Sequence, residues 1–160
     1  MSQRSRLRSF LMIVVVTLCA ALPAQADAPP GQYDNTMGVG TVYDTKTGLV
    51  WQQTVPTTGG DNGTGGYLWS NAKTYCTNLN LNGSGWRLPT VNELLTLVDV
   101  ADQNPSIDNS MSGFPTAPSG VFWSATPQAG SPSQAWSVDF LTGETAVDGV
   151  AGPSRVRCVR

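Results

Sequence analysis

Two segments of this chain repeat apolar residues at the spacing of an α-helix. The first is predicted from Trp69 to Leu79, and its apolar stripe comprises Trp69, Ala72, Cys76 and Leu79. The second begins at Thr90, because Thr90 and Glu93 have the spacing of a capping box and apolar residues follow them. Each predicted helix has one apolar face, and Cys76 lies on the buried face of the first.

Short β-strands are predicted on both sides of the helices. Thr41–Tyr43 and Leu49–Trp51 flank a five-residue loop that ends in glycine, which is typical of a hairpin. Four further strands follow the helices, at Phe122–Ser124, at Ala135–Phe140, near Ala146–Val147 and at Arg155–Val159. Two helices between β segments predict an α+β domain with short antiparallel strands.

Two long segments show neither the helical nor the strand repeat of apolar residues, and they are predicted to be loops. Residues 57–66 contain five glycines, without the Gly-Lys-Ser/Thr of a phosphate-binding loop, and we expect them to be flexible. Residues 99–120 are polar and rich in proline, glycine and serine. Long loops often carry function. We therefore expect the loops at 99–120 and 128–133 to present a binding surface.

The first 26 residues have the composition of an export signal. Three arginines precede an apolar run from Phe10 to Leu22, and Ala24-Gln25-Ala26 provides a cleavage site. The run is shorter than the roughly 20 residues of a membrane-spanning helix, so no stable membrane insertion is expected. We predict a signal peptide at 1–26, an N-terminal extension at 27–39 and one folded domain at 40–160. The protein is then periplasmic, on the cell surface or extracellular.

The charge balance changes sharply when the signal is set aside. Without its three arginines, six of the nine basic side chains remain beside 11 acidic ones, which gives a net charge of −5. This balance disfavours nucleic acid as a partner. The basic residues concentrate at Arg155, Arg157 and Arg160, and on a strand the first two share a face. Arg155 and Arg157 are candidates for binding a sulfate or carboxylate; the alternative is a solvated strand face or ion pairs with aspartates.

The remaining cysteines, Cys76 and Cys158, are predicted to form a disulfide, because export leads to an oxidising compartment. A reactive thiol pair is the alternative, although neither residue has a Cys-x-x-Cys partner. The chain contains no histidine, which excludes histidine-dependent triads and zinc sites. We therefore expect no enzyme activity.

No cofactor is predicted, but two groups of oxygen ligands suit Ca²⁺. One is Asp99, Asp102 and Asp108, and the other is the loop at 61–63; the alternative is that these carboxylates are solvated or cap turns. Asp102 and Asp108 are also candidate ligand-binding residues. Of the aromatic residues, the five tryptophans are expected in the core, whereas Tyr67 beside the glycine loop is expected to be exposed.

Six short sequence motifs occur in a characteristic order: Thr47–Trp51, Trp69–Ala72, Gly85–Glu93, Phe122–Ser124, Trp136–Phe140 and Arg157–Arg160. In this order they resemble the C-terminal domain of the Legionella collagen-like adhesin, the Lcl C-terminal domain family, over about residues 40–160. The resemblance implies a C-type-lectin-like fold, in which a cysteine of the first helix commonly pairs with one of the last strand. It also implies similarity to formylglycine-generating, sulfatase-modifying domains.

One departure from the superfold matters for function. Calcium-dependent lectins of this type carry Glu-Pro-Asn or Gln-Pro-Asp in the long loop, where this chain has Asn104-Pro105-Ser106. The calcium-dependent sugar site is therefore not supported. The resemblance implies a secreted or surface-exposed, non-catalytic module that binds a glycan or an extracellular matrix protein. Two alternatives are an assembly module of an envelope or pilus complex and a degenerate relative of the sulfatase-modifying enzymes.

Overall fold

The computed structural model describes residues 28–160, so the predicted signal peptide lies outside the described residues. The described chain is a mixed α/β domain with two helices and three small sheets. Its elements are β1 (Tyr33–Asp34), β2 (Thr41–Asp44), β3 (Val50–Gln52), β4 (Gly59–Gly60), β5 (Thr64–Gly66), α1 (Trp69–Asn78), α2 (Val91–Leu95), β6 (Val121–Gln128), β7 (Ser131–Asp139) and β8 (Glu144–Gly149). Neither helix has the length and apolar content needed to cross a bilayer.

The first sheet has the order β1-β2-β3, and its strands are antiparallel. It contains the predicted hairpin, in which Val42 pairs with Trp51. Gly48 has a φ of +74° where the turn meets β3, a conformation that glycine adopts at little cost. The Asp44 carboxylate accepts hydrogen bonds from the Lys46 amide at 2.9 Å and the Thr47 hydroxyl at 2.7 Å, which fixes the turn.

Both predicted helices are confirmed. In α1, Ala72 and Cys76 are fully buried, as the apolar stripe predicts. Helix α2 begins with the predicted capping box, in which the Thr90 hydroxyl accepts from the Glu93 amide and the Glu93 carboxylate accepts from the Thr90 amide. The same carboxylate forms a two-point ion pair with Arg87, at 2.6 and 2.8 Å.

The third sheet, β6-β7-β8, is antiparallel, and its strands are longer than the sequence predicts. The expected loop at 128–133 is wrong, because Gln128 pairs with Ser131 and only Ala129 and Gly130 separate β6 from β7. Gly130 has a φ of +78°, which allows this tight turn. The segment is therefore the tip of a hairpin, and it presents no broad binding loop.

The C-terminal segment is extended but forms isolated bridges where a regular strand was predicted. Val159 bridges to both Trp51 and Arg87, and Arg155 bridges to Phe122. The predicted disulfide between Cys76 and Cys158 is present, with an S–S distance of 2.00 Å. This segment therefore joins the first sheet, the third sheet and α1.

The core consists of two neighbouring clusters, one beside the first sheet and α2 and the other around the disulfide. Trp51, Trp86 and Trp123 are buried as predicted, whereas Trp69 and Trp136 are half-buried. The segment at 99–120 has no regular secondary structure, but Ile107 and Phe114 are fully buried in the first cluster. It is therefore partly a core-forming segment and not only the surface loop that its polar composition predicts.

Candidate functional site

A groove of about 550 Å³ lies between the glycine-rich loop and α1. This volume is within the range of roughly 300–1,000 Å³ that is typical of small-molecule sites. Two aromatic side chains and five polar ones line the groove: Tyr67, Tyr75, Asp61, Asn71, Thr74, Asn78 and Asn80. The groove is therefore a concave surface that combines aromatic rings with hydrogen-bonding groups.

The spacing along α1 explains why one helix supplies four of these seven side chains. Asn71, Tyr75 and Asn78 are four and three residues apart, so they lie along one side of the helix. Ala72 and Cys76 lie on a different, buried side, where the disulfide fixes the helix to the C-terminal segment. The core contacts of α1 thus set the orientation of its groove-lining face.

The glycine-rich loop forms the other wall, and it is more structured than its composition predicts. The Asn62 carboxamide oxygen accepts hydrogen bonds from the amides of Thr64 and Gly66, at 3.0 and 2.8 Å. Gly65 has a φ of +81°, and a Cβ at this position would collide with the Pro56 carbonyl oxygen. The loop contains β4 and β5, which pair in parallel, so the expectation of a loop without regular structure is wrong.

Asp61 links this loop to the start of α1. One carboxylate oxygen accepts from the Leu68 amide at 2.6 Å, and the other accepts from the Asn71 carboxamide at 2.7 Å. Leu68 is the N-cap of α1, so Asp61 satisfies a backbone donor at the helix start, where a negative charge is favoured. Asp61 therefore positions the two walls of the groove relative to each other.

Tyr67 and Tyr75 form an aromatic pair in the groove. Their ring centroids are 5.0 Å apart, and the ring planes are inclined by 40°. The Tyr75 hydroxyl accepts a hydrogen bond from the Gln52 carboxamide at 2.9 Å, and burial raises the pKa of Tyr75. Two backbone hydrogen bonds to Ser154 hold Tyr67, which is half-buried and therefore less exposed than the sequence predicts.

The structure does not bring the predicted arginine ligands together. Arg157 is fully buried, and one guanidinium nitrogen donates to the Gln52 and Gln53 carbonyls at 2.7 and 2.8 Å. Its guanidinium carbon lies 4.4 Å from the ring centroid of Phe114, and desolvation lowers the pKa of Arg157. Arg157 is therefore a core residue, and the prediction that it shares a ligand-binding face with Arg155 is wrong.

The other two arginines occupy separate places. Arg155 lines a separate, smaller cavity of about 260 Å³ together with Asn62, Thr64 and Ser154. Arg160 lies over the Trp86 ring, with its guanidinium carbon 5.0 Å from the ring centroid, and donates to the Asn82 carbonyl at 3.0 Å. Only Arg155 remains a candidate for contact with an acidic ligand.

The predicted calcium ligands are also dispersed. Asp99 is buried, and its carboxylate accepts from the amides of Ala28 and Ala101 at 2.8 and 2.9 Å. Asp108 accepts from the Ser110 amide at 2.8 Å, and Asp102 lines a separate small cavity beside Val100. In residues 28–160, no group of three or more histidine, cysteine or acidic side chains is placed to hold a metal ion.

Sequence reasoning identified Tyr67 but missed most of the groove. The i, i+4, i+7 spacing of Asn71, Tyr75 and Asn78 on the predicted first helix was an available signal. No local pattern indicated that Asp61 lies against this helix, because their proximity depends on the path of the glycine-rich loop.

Comparison with known proteins agrees with the resemblance in the sequence. The model of the Lcl C-terminal domain family matches residues 40–160. A search of curated proteins finds no matching protein.

Proposed function

Because the chain belongs to the Lcl C-terminal domain family, we propose that it is an exported, non-catalytic binding module that attaches to glycans outside the cytoplasm. We also propose a C-type-lectin-like fold. Two helices, small antiparallel sheets and a disulfide from the first helix to the C-terminal segment support this assignment. The export signal predicted at 1–26 supports a periplasmic, surface or extracellular location.

The observation that carries this proposal is the groove with its Tyr67–Tyr75 pair. Tyrosine rings offer rigid apolar faces, and the surrounding carboxamides offer both donors and acceptors of hydrogen bonds. A sugar ring has the complementary properties, because its C–H faces are apolar and its edge is ringed by hydroxyl groups. The groove therefore suits a glycan better than it suits a purely apolar ligand.

The groove residues also support a role in binding without catalysis. Glycoside hydrolysis normally requires two carboxyl groups on either side of the scissile bond. Among the described residues that line the groove, Asp61 is the only carboxylate, and both of its oxygens already accept hydrogen bonds. Cys76 and Cys158 form the disulfide, so neither supplies the reactive thiol that a relative of the sulfatase-modifying enzymes needs.

A glycan array with the purified chain tests this proposal, with Tyr67→Ala as the groove variant. We expect the wild type to bind at least one glycan and Tyr67→Ala to bind it about twofold to tenfold more weakly, since one lost aromatic contact contributes roughly 0.5–1.5 kcal/mol. Tyr43→Ala is the matched control, because Tyr43 is a half-buried tyrosine on β2 outside the groove. Equal binding by wild type and Tyr67→Ala would contradict the groove as the binding site. No binding to any glycan by the folded wild type would contradict the glycan as the ligand.

A second candidate function, an assembly module of an envelope complex, is favoured by exposed apolar side chains on two neighbouring loops. Met37, Val39 and Met111 are 68%, 89% and 79% exposed. The Asn35 carboxamide donates to the Met111 carbonyl at 2.6 Å and so joins the loops. Exposed apolar surface of this kind often marks a protein interface. Light scattering tests this candidate, because a concentration-dependent rise in mass that Met111→Asp abolishes would support it.

A further inference from the structure

We propose that the Tyr67–Tyr75 groove binds an uncharged, hydroxyl-rich sugar, and that Asp61 and Asn71 select this sugar against sulfated and carboxylated glycans. This inference rests on the proposed function and adds to it the class of glycan and the residues that discriminate.

The charge of the groove favours an uncharged ligand. Asp61 is the only charged side chain among the described residues that line it. The nearest cation along α1, Lys73, lies with its ammonium 3.4 Å from the ring centroid of Trp69, which does not line the groove. Because the carboxylate repels anions and no cation lines the groove to offset it, a sulfated sugar in this position is disfavoured.

The charge of the whole domain does little to offset the repulsion between Asp61 and an anionic glycan. Residues 28–160 carry 6 basic and 10 acidic side chains, a net charge of −4. Of the six cations, Arg157 is buried and Arg87 is paired with Glu93. A large negative ligand therefore meets no continuous basic surface of the kind that binds polyanions electrostatically.

The hydrogen-bonding groups of the groove match hydroxyl groups in particular. Asp61 and the Asn71 carbonyl oxygen are acceptors, and each carboxylate oxygen has a further lone pair beyond the hydrogen bond that it already receives. Within residues 28–160, the carboxamides of Asn78 and Asn80 make no hydrogen bond, so each offers both donors and an acceptor. A sulfate only accepts and an ammonium only donates, whereas a hydroxyl group does both.

The existing contacts also hold these groups in position before the ligand arrives. The Asn71–Asp61 hydrogen bond uses the Asn71 NH₂ group and so fixes its carbonyl oxygen. Asn71 lies in the first turn of α1, and Asp61 is fixed by the Leu68 amide at the N-cap. A ligand hydroxyl therefore meets acceptors that need no rearrangement, which favours affinity.

The test measures binding of the purified chain, by calorimetry, to neutral oligosaccharides ending in mannose, galactose, glucose or N-acetylglucosamine and to sulfated counterparts of the same sugars. Each measurement is made at 50 and 500 mM NaCl. Two variants are compared with the wild type. Asp61→Asn keeps nearly the same shape but removes the charge and one of the two oxygens that accept from Leu68 and Asn71. Asn78→Ala removes a carboxamide that contributes no hydrogen bond to the described fold. Unchanged circular dichroism and unfolding midpoints verify that both variants fold.

We expect a neutral sugar to bind with an affinity that changes less than twofold between the two salt concentrations. Asp61→Asn should weaken it about tenfold, because a charge-assisted hydrogen bond is replaced by a neutral one, and Asn78→Ala should weaken it about threefold to tenfold. Tighter binding of sulfated than of neutral sugars by the wild type, a tenfold loss of affinity for the neutral sugar at high salt, or a gain of affinity for the neutral sugar in Asp61→Asn would overturn the inference. If sulfated sugars bound more tightly and Tyr67→Ala abolished their binding, the proposed glycan function would stand, but the preference for uncharged sugars would not. Absence of any glycan binding would overturn both the proposed function and this inference.

Discussion

Replacement of both disulfide cysteines by alanine tests whether the disulfide is the principal constraint on the C-terminal segment. The bond joins α1 to a segment that forms isolated bridges but no regular strand. Its sequence separation is 82 residues, for which the chain-entropy relation predicts that Cys76→Ala/Cys158→Ala loses about 4.5 kcal/mol of unfolding free energy. This is a large share of a typical domain stability of roughly 5–15 kcal/mol.

The assay is equilibrium unfolding in guanidinium chloride, followed by tryptophan fluorescence because Trp51, Trp86 and Trp123 are buried. The oxidised wild type, the reduced wild type and the double variant are compared. We expect the unfolding free energies of the reduced wild type and the double variant to agree within about 1 kcal/mol, since alanine leaves only a small cavity in place of each sulfur. A reductant should leave the double variant unchanged. A loss of less than about 1 kcal/mol in both would refute the reasoning and show that packing alone holds the segment.

Two further predictions concern charged side chains. Arg157→Ala should lower the unfolding free energy by about 3–5 kcal/mol, because it leaves two backbone carbonyls without their donor and opens a cavity beside Phe114. Arg160→Ala is the surface control and should lose less than about 1 kcal/mol in the same denaturation assay; equal losses would contradict the buried role of Arg157. Hydrogen bonds from Arg87, followed by those from Thr90, lower the pKa of Glu93 from 4.5 to about 2. The carboxylate binds protons less readily in the folded state than in the unfolded state. Its contribution to the unfolding free energy is therefore complete above pH 4.5 and disappears as the pH falls towards 2. Because the pair is partly exposed, we expect about 1 kcal/mol, seen as a shallower acid-unfolding curve in Glu93→Gln; an identical curve would argue against the pair.

Local signals in the sequence predicted much of the secondary structure. The capping box at Thr90 and the glycine-terminated turn before β3 depend on residues only a few positions apart, and both are present as predicted. The apolar stripe of α1 identified the buried side of that helix, and with it the orientation of Cys76. The disulfide followed from there being two cysteines outside the predicted export signal.

The errors concern residues whose environment is set by distant parts of the chain. Arg155 and Arg157 look equivalent in the sequence, yet Arg157 enters the core because two carbonyls at the end of β3 and the Phe114 ring contact it there. The polar composition of 99–120 hid Ile107 and Phe114, which the segment delivers to the core. Composition averages over a segment, whereas burial is decided for each side chain.

The sequence by itself determined the helices, the first hairpin, the disulfide pair and the family, because each depends on short-range periodicity, turn chemistry or an ordered set of motifs. Only the tertiary structure decided which polar side chains converge. Asp61 and Tyr67 belong to the glycine-rich loop and its end, whereas Asn71 and Tyr75 belong to α1. Their common groove arises because glycine turns at positive φ and the Asp61 hydrogen bonds fold the loop back onto the helix. Such contacts have no sequence period that a local pattern reveals.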